Sequence, residues 1–128
     1  MSDERKKLVD KMNNGVSRLS PVSRKLYFSL CDEFQSRHKG EKIRTAVRQY
    51  SNHIGINSQE IIDIVSQIQR AFDEIHLNTF QQFNYEFTFG NEGYNDVYLI
   101  INRVDNTAEI KRAMEIIGEE VSGKHAYH

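Results

Sequence analysis

Val47-Arg48-Gln49-Tyr50-Ser51-Asn52-His53-Ile54-Gly55-Ile56-Asn57-Ser58-Gln59-Glu60-Ile61-Ile62-Asp63-Ile64-Val65-Ser66-Gln67-Ile68 is the stretch on which the fold turns. Two helices that cross closely around a sharp turn make three demands on sequence. The first helix needs a small residue where the second passes over it, and Ser51 stands four before Gly55. The turn needs a residue that accepts a left-handed backbone, which is glycine's particular freedom, and Gly55 supplies it. Apolar residues on both sides must lock the crossing. Tyr50 and Ile54 precede the turn, Ile56 follows it, and Ile61 and Ile64 are spaced to point back from the second helix.

Upstream, Glu41–His53 reads as the first of these helices, with Ile43, Ala46, Val47 and Tyr50 facing inward. Ser20-Pro21 opens an earlier helix, Ser20 as cap and Pro21 in the first helical position. That helix carries Leu26, Leu30 and Phe34, with Tyr27 and Cys31 beside them. It is expected to reach about His38, where Lys39-Gly40 ends it. Residues 4–18 offer Leu8, Met12 and Val16 at helical spacing, but Asn13-Asn14-Gly15 weakens them to a short helix or arm.

Downstream, Asn57 or Ser58 is expected to cap the second helix, with Glu60 in its first turn. Ile61, Ile64, Val65, Ile68, Phe72 and Ile75 form a stripe that carries it to His76. The period then changes from about 3.6 to 2. Phe83, Tyr85, Phe87 and Phe89 alternate with Asn84, Glu86 and Thr88; Gly90-Asn91-Glu92-Gly93 turns the chain; and 97–104 is a second strand. Asp105 or Asn106 caps a last helix through Ile110, Ala113, Met114, Ile117 and Val121, and Gly123 onward reads as a flexible tail.

Residues 47–68 resemble the helix-turn-helix segment of bacterial and phage DNA-binding proteins, and the hairpin that follows makes the resemblance one to the winged helix-turn-helix group. The stretch Leu19-Ser20-Pro21-Val22-Ser23-Arg24-Lys25-Leu26 is also similar to the opening of some plasmid replication initiators, which contain winged-helix units. The fold this implies is mainly α with a small β-hairpin: an arm or short helix over 1–19, a winged core over 20–104, a C-terminal helix over 105–122 that pairs two copies, and a tail over 123–128. In the group the second helix enters the major groove. Carried over by position, its exposed face offers Asn57, Ser58, Gln59, Ile62, Asp63 and Ser66. Gln59 suits an adenine edge and Ile62 a thymine methyl. Lys42, Arg44 and Arg48 on the preceding helix, with Arg24 and Lys25 before it, are placed for phosphates.

Composition sets outer limits. A chain of 128 residues with 38% hydrophobic and 27% charged content supports one core,. The single cysteine, Cys31, excludes an intrachain disulfide and reads as a buried thiol,. No run approaches the ~20 apolar residues that span a bilayer, and the charged start has no apolar signal core, so the expectation is a cytoplasmic protein without a membrane partner. Residues 1–55 carry 12 Lys+Arg against 6 Asp+Glu, and residues 56–128 carry 5 against 12. That asymmetry suits a basic nucleic-acid face with an acidic far side, or two complementary faces that pair between copies. His38, His53, His76, His125 and His128 lack ligand spacing apart from the last two, which stand at the chain end. No phosphate-cradling loop, nucleophile elbow or zinc signature is present, so neither an enzyme nor a cofactor is expected.

The expected function is therefore sequence-specific binding of double-stranded DNA by a homodimer, as a transcriptional regulator or a replication or partition factor, with half-sites about one helical turn apart. The alternative is a winged-helix adaptor, phage or plasmid encoded, that binds a protein partner. Its grounds are Glu60 and Asp63, where phosphate would approach, and a hairpin tip, Asn91-Glu92-Gly93-Tyr94-Asn95, with no Lys or Arg.

Overall fold

Alternation with period 2 begins earlier in the chain than expected. In the computed structural model, which describes residues 2–37, 40–93 and 95–126 with side chains to residue 118, Lys42–Ala46 is a strand, β1, and not the first turns of a helix. Lys42 and Arg44 are exposed while Ile43 is buried. The order is α1 (Asp3–Asn14), a 3-10 turn (Val16–Arg18), α2 (Pro21–Gln35), β1, α3 (Val47–His53), α4 (Ile61–Asn78), β2 (Phe83–Phe89), β3 (Val97–Arg103) and α5 (Thr107–Ala126). The chain is mainly helical with a small antiparallel sheet. His38, Lys39, Tyr94 and His128, on which sequence expectations fell, lie outside the described residues, as do the side chains of Val121 and His125.

The sheet is three-stranded in the order β1-β3-β2. Ile43 pairs with Ile101, and Tyr85 pairs with Ile101 from the other side. β3 is thus the central strand, and Val97, Leu99 and Ile101 are buried on its inner face. Phe83, Tyr85 and Phe87 share that inner face, as their alternation requires. Phe89 continues the alternation but ends 70% exposed.

Helix α4 fills the space between the sheet and α2. Ile61, Ile64, Ile68, Ala71, Phe72 and Ile75 are buried along it. Phe72 stacks nearly parallel on Tyr85, with ring centres 4.1 Å apart. Leu26, Leu30 and Phe34 of α2 join the same core. The turn between α3 and α4 closes as a Schellman motif: the Ile56 N–H donates to the Ser51 carbonyl at 2.8 Å, the Gly55 N–H donates to Asn52, and Gly55 holds φ at 85°,. Ser51, 2% exposed, donates its hydroxyl back to the Arg48 carbonyl.

The start of α4 differs from expectation. Its cap is Glu60, with no side-chain cap bond, and residues 57–60 are a connecting loop. Ser58 caps nothing on the helix; it accepts from the Glu60 N–H at 3.2 Å. At the other end α4 runs past His76 to Asn78. The α5 backbone likewise continues through Ala126, beyond the tail expected from Gly123. The apolar stripe of α5 has an earlier element beside it: α1 packs there, and Arg5 Nε donates to the Ile117 carbonyl at 3.3 Å. Gly15 lets α1 reach α4, because a Cβ there would stand 1.9 Å from the Asn78 carbonyl oxygen.

Two polar contacts fix α4 to its neighbours. The Glu74 carboxylate accepts from the Ser20 N–H at 3.0 Å and from the hydroxyls of Ser20 and Ser23 at 3.0 and 2.8 Å. It thereby serves the free N–H end of α2 from a different helix. His76 Nε2 accepts from the Phe83 N–H at 3.1 Å, so the ring starts β2. Burial pushes the Glu74 carboxyl up, but the Ser20 N–H and the two serine hydroxyls outweigh burial and hold it below 4.5. Burial pulls His76 below 6.5, only partly opposed by Asp73.

Both groups bind a proton more weakly when folded than when unfolded, so each contributes stability that is complete above its unfolded value and is lost as pH falls. The thermal unfolding midpoint is expected to hold from neutral pH down to 6.5, to drop first through His76 and to drop again below 4.5 through Glu74. His76→Gln should flatten the first step. Glu74→Gln should shrink the second and cost about 1–3 kcal/mol at neutral pH by leaving the serine donors poorly matched. Midpoints measured across pH check both.

Candidate functional site

The residues expected to form one interface fall into separate places. Lys42 and Arg44 project from the outer face of β1, because every second residue of a strand shares a side. Arg44 lies over the Tyr98 ring at 4.0 Å, paired through its cation to the sheet,. Asn57, Ser58 and Gln59 belong to the loop before α4 and not to its helical face. Arg24 donates to the carbonyls of Ser17 and Leu19 at 3.1 and 3.3 Å, which ties the 3-10 turn to α2. Lys25 extends toward Gly55.

Arg48 departs furthest from a free phosphate ligand. One arm of its guanidinium donates to the Gln59 carbonyl at 2.8 Å and the other to Asn95 Oδ1 at 3.0 Å. It thus clamps α3, the loop before α4 and the connection between β2 and β3. The fork geometry of Arg suits this double role, which Lys would not fill.

Ile62 and Ser66 do share a site. They stand one helical turn apart on α4 and line a groove of about 300 Å³ whose other wall comes from β2 and β3. Ile61, Val65, Phe87, Phe89 and Val97 complete its apolar lining, with Gln69 at the edge. Ile62 is 69% exposed, far more than a β-branched apolar side chain needs to be on a helix with a buried stripe beside it. None of the residues that line the groove is charged, and the segments next to it in the chain carry carboxylates and hold the Arg48 guanidinium. Glu60 and Asp63 flank Ile62 in sequence, and Glu92 and Asp96 lie in the connection that joins Phe89 to Val97. Asp63 is held below its ordinary pKa by hydrogen bonds from Ser58 and then Gln67, so it is ionised at neutral pH.

A second surface was not anticipated. Phe28 is 51% exposed on α2, in a shallow depression shared with Pro21, Arg24, Lys25, Asp32 and His53. The signal was present: Phe28 falls between Leu26 and Leu30, and so lies off the buried stripe. Among the described residues no three His, Cys, Asp or Glu side chains gather to hold a metal, and no helix is long and apolar enough to cross a membrane. Comparison with known proteins finds no match to a family model, a curated protein or a solved structure.

Arg48→Ala should release the β2–β3 connection while leaving the core intact. The expected outcome is a loss of about 1–2 kcal/mol, two hydrogen bonds from a charged but exposed donor. It should be accompanied by faster amide exchange over 90–96 and 57–60 but not in α4. Unchanged protection in those loops would mean that the clamp does not hold them.

Proposed function

We propose that the chain is a winged helix that docks a protein partner through the groove between α4 and the β2–β3 hairpin, without reading duplex DNA. The winged-helix reading is supported by the sequence of elements: a helix-turn-helix formed by α3 and α4, a hairpin directly after it, and a strand just before it that pairs with the hairpin. Helices α1, α2 and α5 flank that unit.

One observation carries the choice of partner. The face of α4 that would enter a major groove is apolar, Glu60 and Asp63 stand beside Ile62 in the chain, and Arg48 is engaged in holding the loops. DNA binding draws most of its affinity from cations that neutralise phosphates, and carboxylates at the contact oppose that. Protein interfaces have the opposite composition, an apolar centre with a polar rim. The partner that fits offers apolar side chains among Lys and Arg.

Two measurements test this. Mixed-sequence duplex DNA should not be retarded in a gel even at about 50 mM salt, where phosphate contacts are strongest. A synthetic amphipathic peptide of Leu and Lys should bind in calorimetry, its Leu/Glu counterpart should not, and Ile62→Asp should abolish the binding with stability changed by no more than about 0.5 kcal/mol. Retardation that weakens with salt and with Gln59→Ala would establish the DNA reading instead.

A further inference from the structure

The partner chemistry that suits the groove is present on the chain's own surface. Phe28 stands half exposed on α2. Lys25 and Arg24 lie three and four residues before it on the same side of the helix, and Asp32 lies four after it,. An exposed aromatic one turn from Lys25 is the complement of an apolar groove whose helical wall starts at Glu60. The two surfaces share no residue. The split of charge along the chain has the same sense, with 12 Lys+Arg against 6 Asp+Glu in residues 1–55 and 5 against 12 in residues 56–128.

We propose that copies of this chain associate head to tail, with Phe28 of one copy seated in the α4–hairpin groove of the next and Lys25 facing Glu60. The proposal rests on the protein-docking reading and names its occupant. The contact is heterologous: each copy gives one surface and receives on another. Such a contact does not stop at two copies unless the rotation closes a ring. A two-fold pairing through α5 would stop at two. The facing charges predict association that weakens with salt, because exposed pairs are screened within about 8–10 Å at ordinary ionic strength.

Sedimentation across a concentration series tests this on the full chain. The expected result is a mass that rises past dimer at low salt, with association about tenfold weaker at about 500 mM than at about 50 mM salt. Phe28→Asp alone and Ile62→Asp alone should each be monomeric. Both positions are largely exposed, so the fold should survive, as matching circular dichroism and melting would show. Mixed in equal amounts, the two variants should form a one-to-one dimer and nothing larger, because one intact groove then meets one intact Phe28. Lys25→Glu should weaken assembly, and combining it with Glu60→Lys should restore it. A monomer at every concentration, a dimer that persists in both single variants, or a mixture that stays monomeric would each overturn the proposal. If the Leu/Lys peptide still binds in those cases, the docking groove stands and only its occupant is wrong.

Discussion

Helix α4 can exist only if its buried stripe is covered from more than one side. An isolated amphipathic helix of 18 residues is marginal in water, and its stability comes from what packs on it,. The stripe holds Ile61, Ile64, Ile68, Ala71, Phe72 and Ile75, and each fully buried large side chain contributes roughly 1.5–3 kcal/mol,. α2 covers one flank, α3 crosses the N-terminal end, and the inner face of the sheet takes Phe72. The polar contacts follow from this placement. Glu74 lies at the rim of the stripe, where it reaches the start of α2, and His76 lies at the other rim, where it reaches the start of β2. Arrangements that slide α4 along its axis would lose both contacts together, so they fix the register that apolar packing leaves loose.

Much of this was legible because it is local. The Ser51–Gly55 spacing, the Ser20-Pro21 start, the stripe of α4 and the alternation of 83–89 each lie within a few residues of one another, and each appears in the structure as read. The missed strand has a physical reason. Ile43, Ala46, Val47 and Tyr50 satisfy helical spacing, while Ile43 and Thr45 satisfy strand spacing, so a segment this short is ambiguous by period alone. The deciding partner is β3, whose Ile101 sits opposite Ile43. Long-range pairing of that kind leaves no local trace. The misplaced start of α4 is similar: Asn57 and Ser58 are good caps in isolation, but closing the turn through Ile56 and burying Ile61 leaves 57–60 extended.

The candidate site was less legible than the fold. Ile62 and Ser66 are exposed, as the helical wheel of α4 implies. The clamp made by Arg48 is not legible, because a free-looking Arg in sequence gives no hint that Asn95, 47 residues on, will take its guanidinium. Lys42 and Arg44 moved to the sheet with β1. Three of the cations on which phosphate binding would rest were thus redirected by tertiary contacts, and the carboxylates near Ile62 were not. Asp63 is bonded by Ser58 and Gln67 in ways that favour its charge.

The turn that fixes the fold is indifferent to what the groove binds. Ser51, Gly55, Ile54 and Ile56 are buried or close to buried, and they would pack identically whatever touches the surface. Function is written in the residues that packing leaves alone, and the exposed large apolar ones among them, Met12, Phe28, Ile62, Leu77, Phe89 and Met114, carry a cost. Ile62 and Phe28 each leave a large apolar side chain in water, where a polar residue would serve the fold as well,. A single exposed apolar residue is ordinary. Phe28 beside Lys25 and the apolar groove at Ile62 are the two surfaces that the proposed self-association would bring together,.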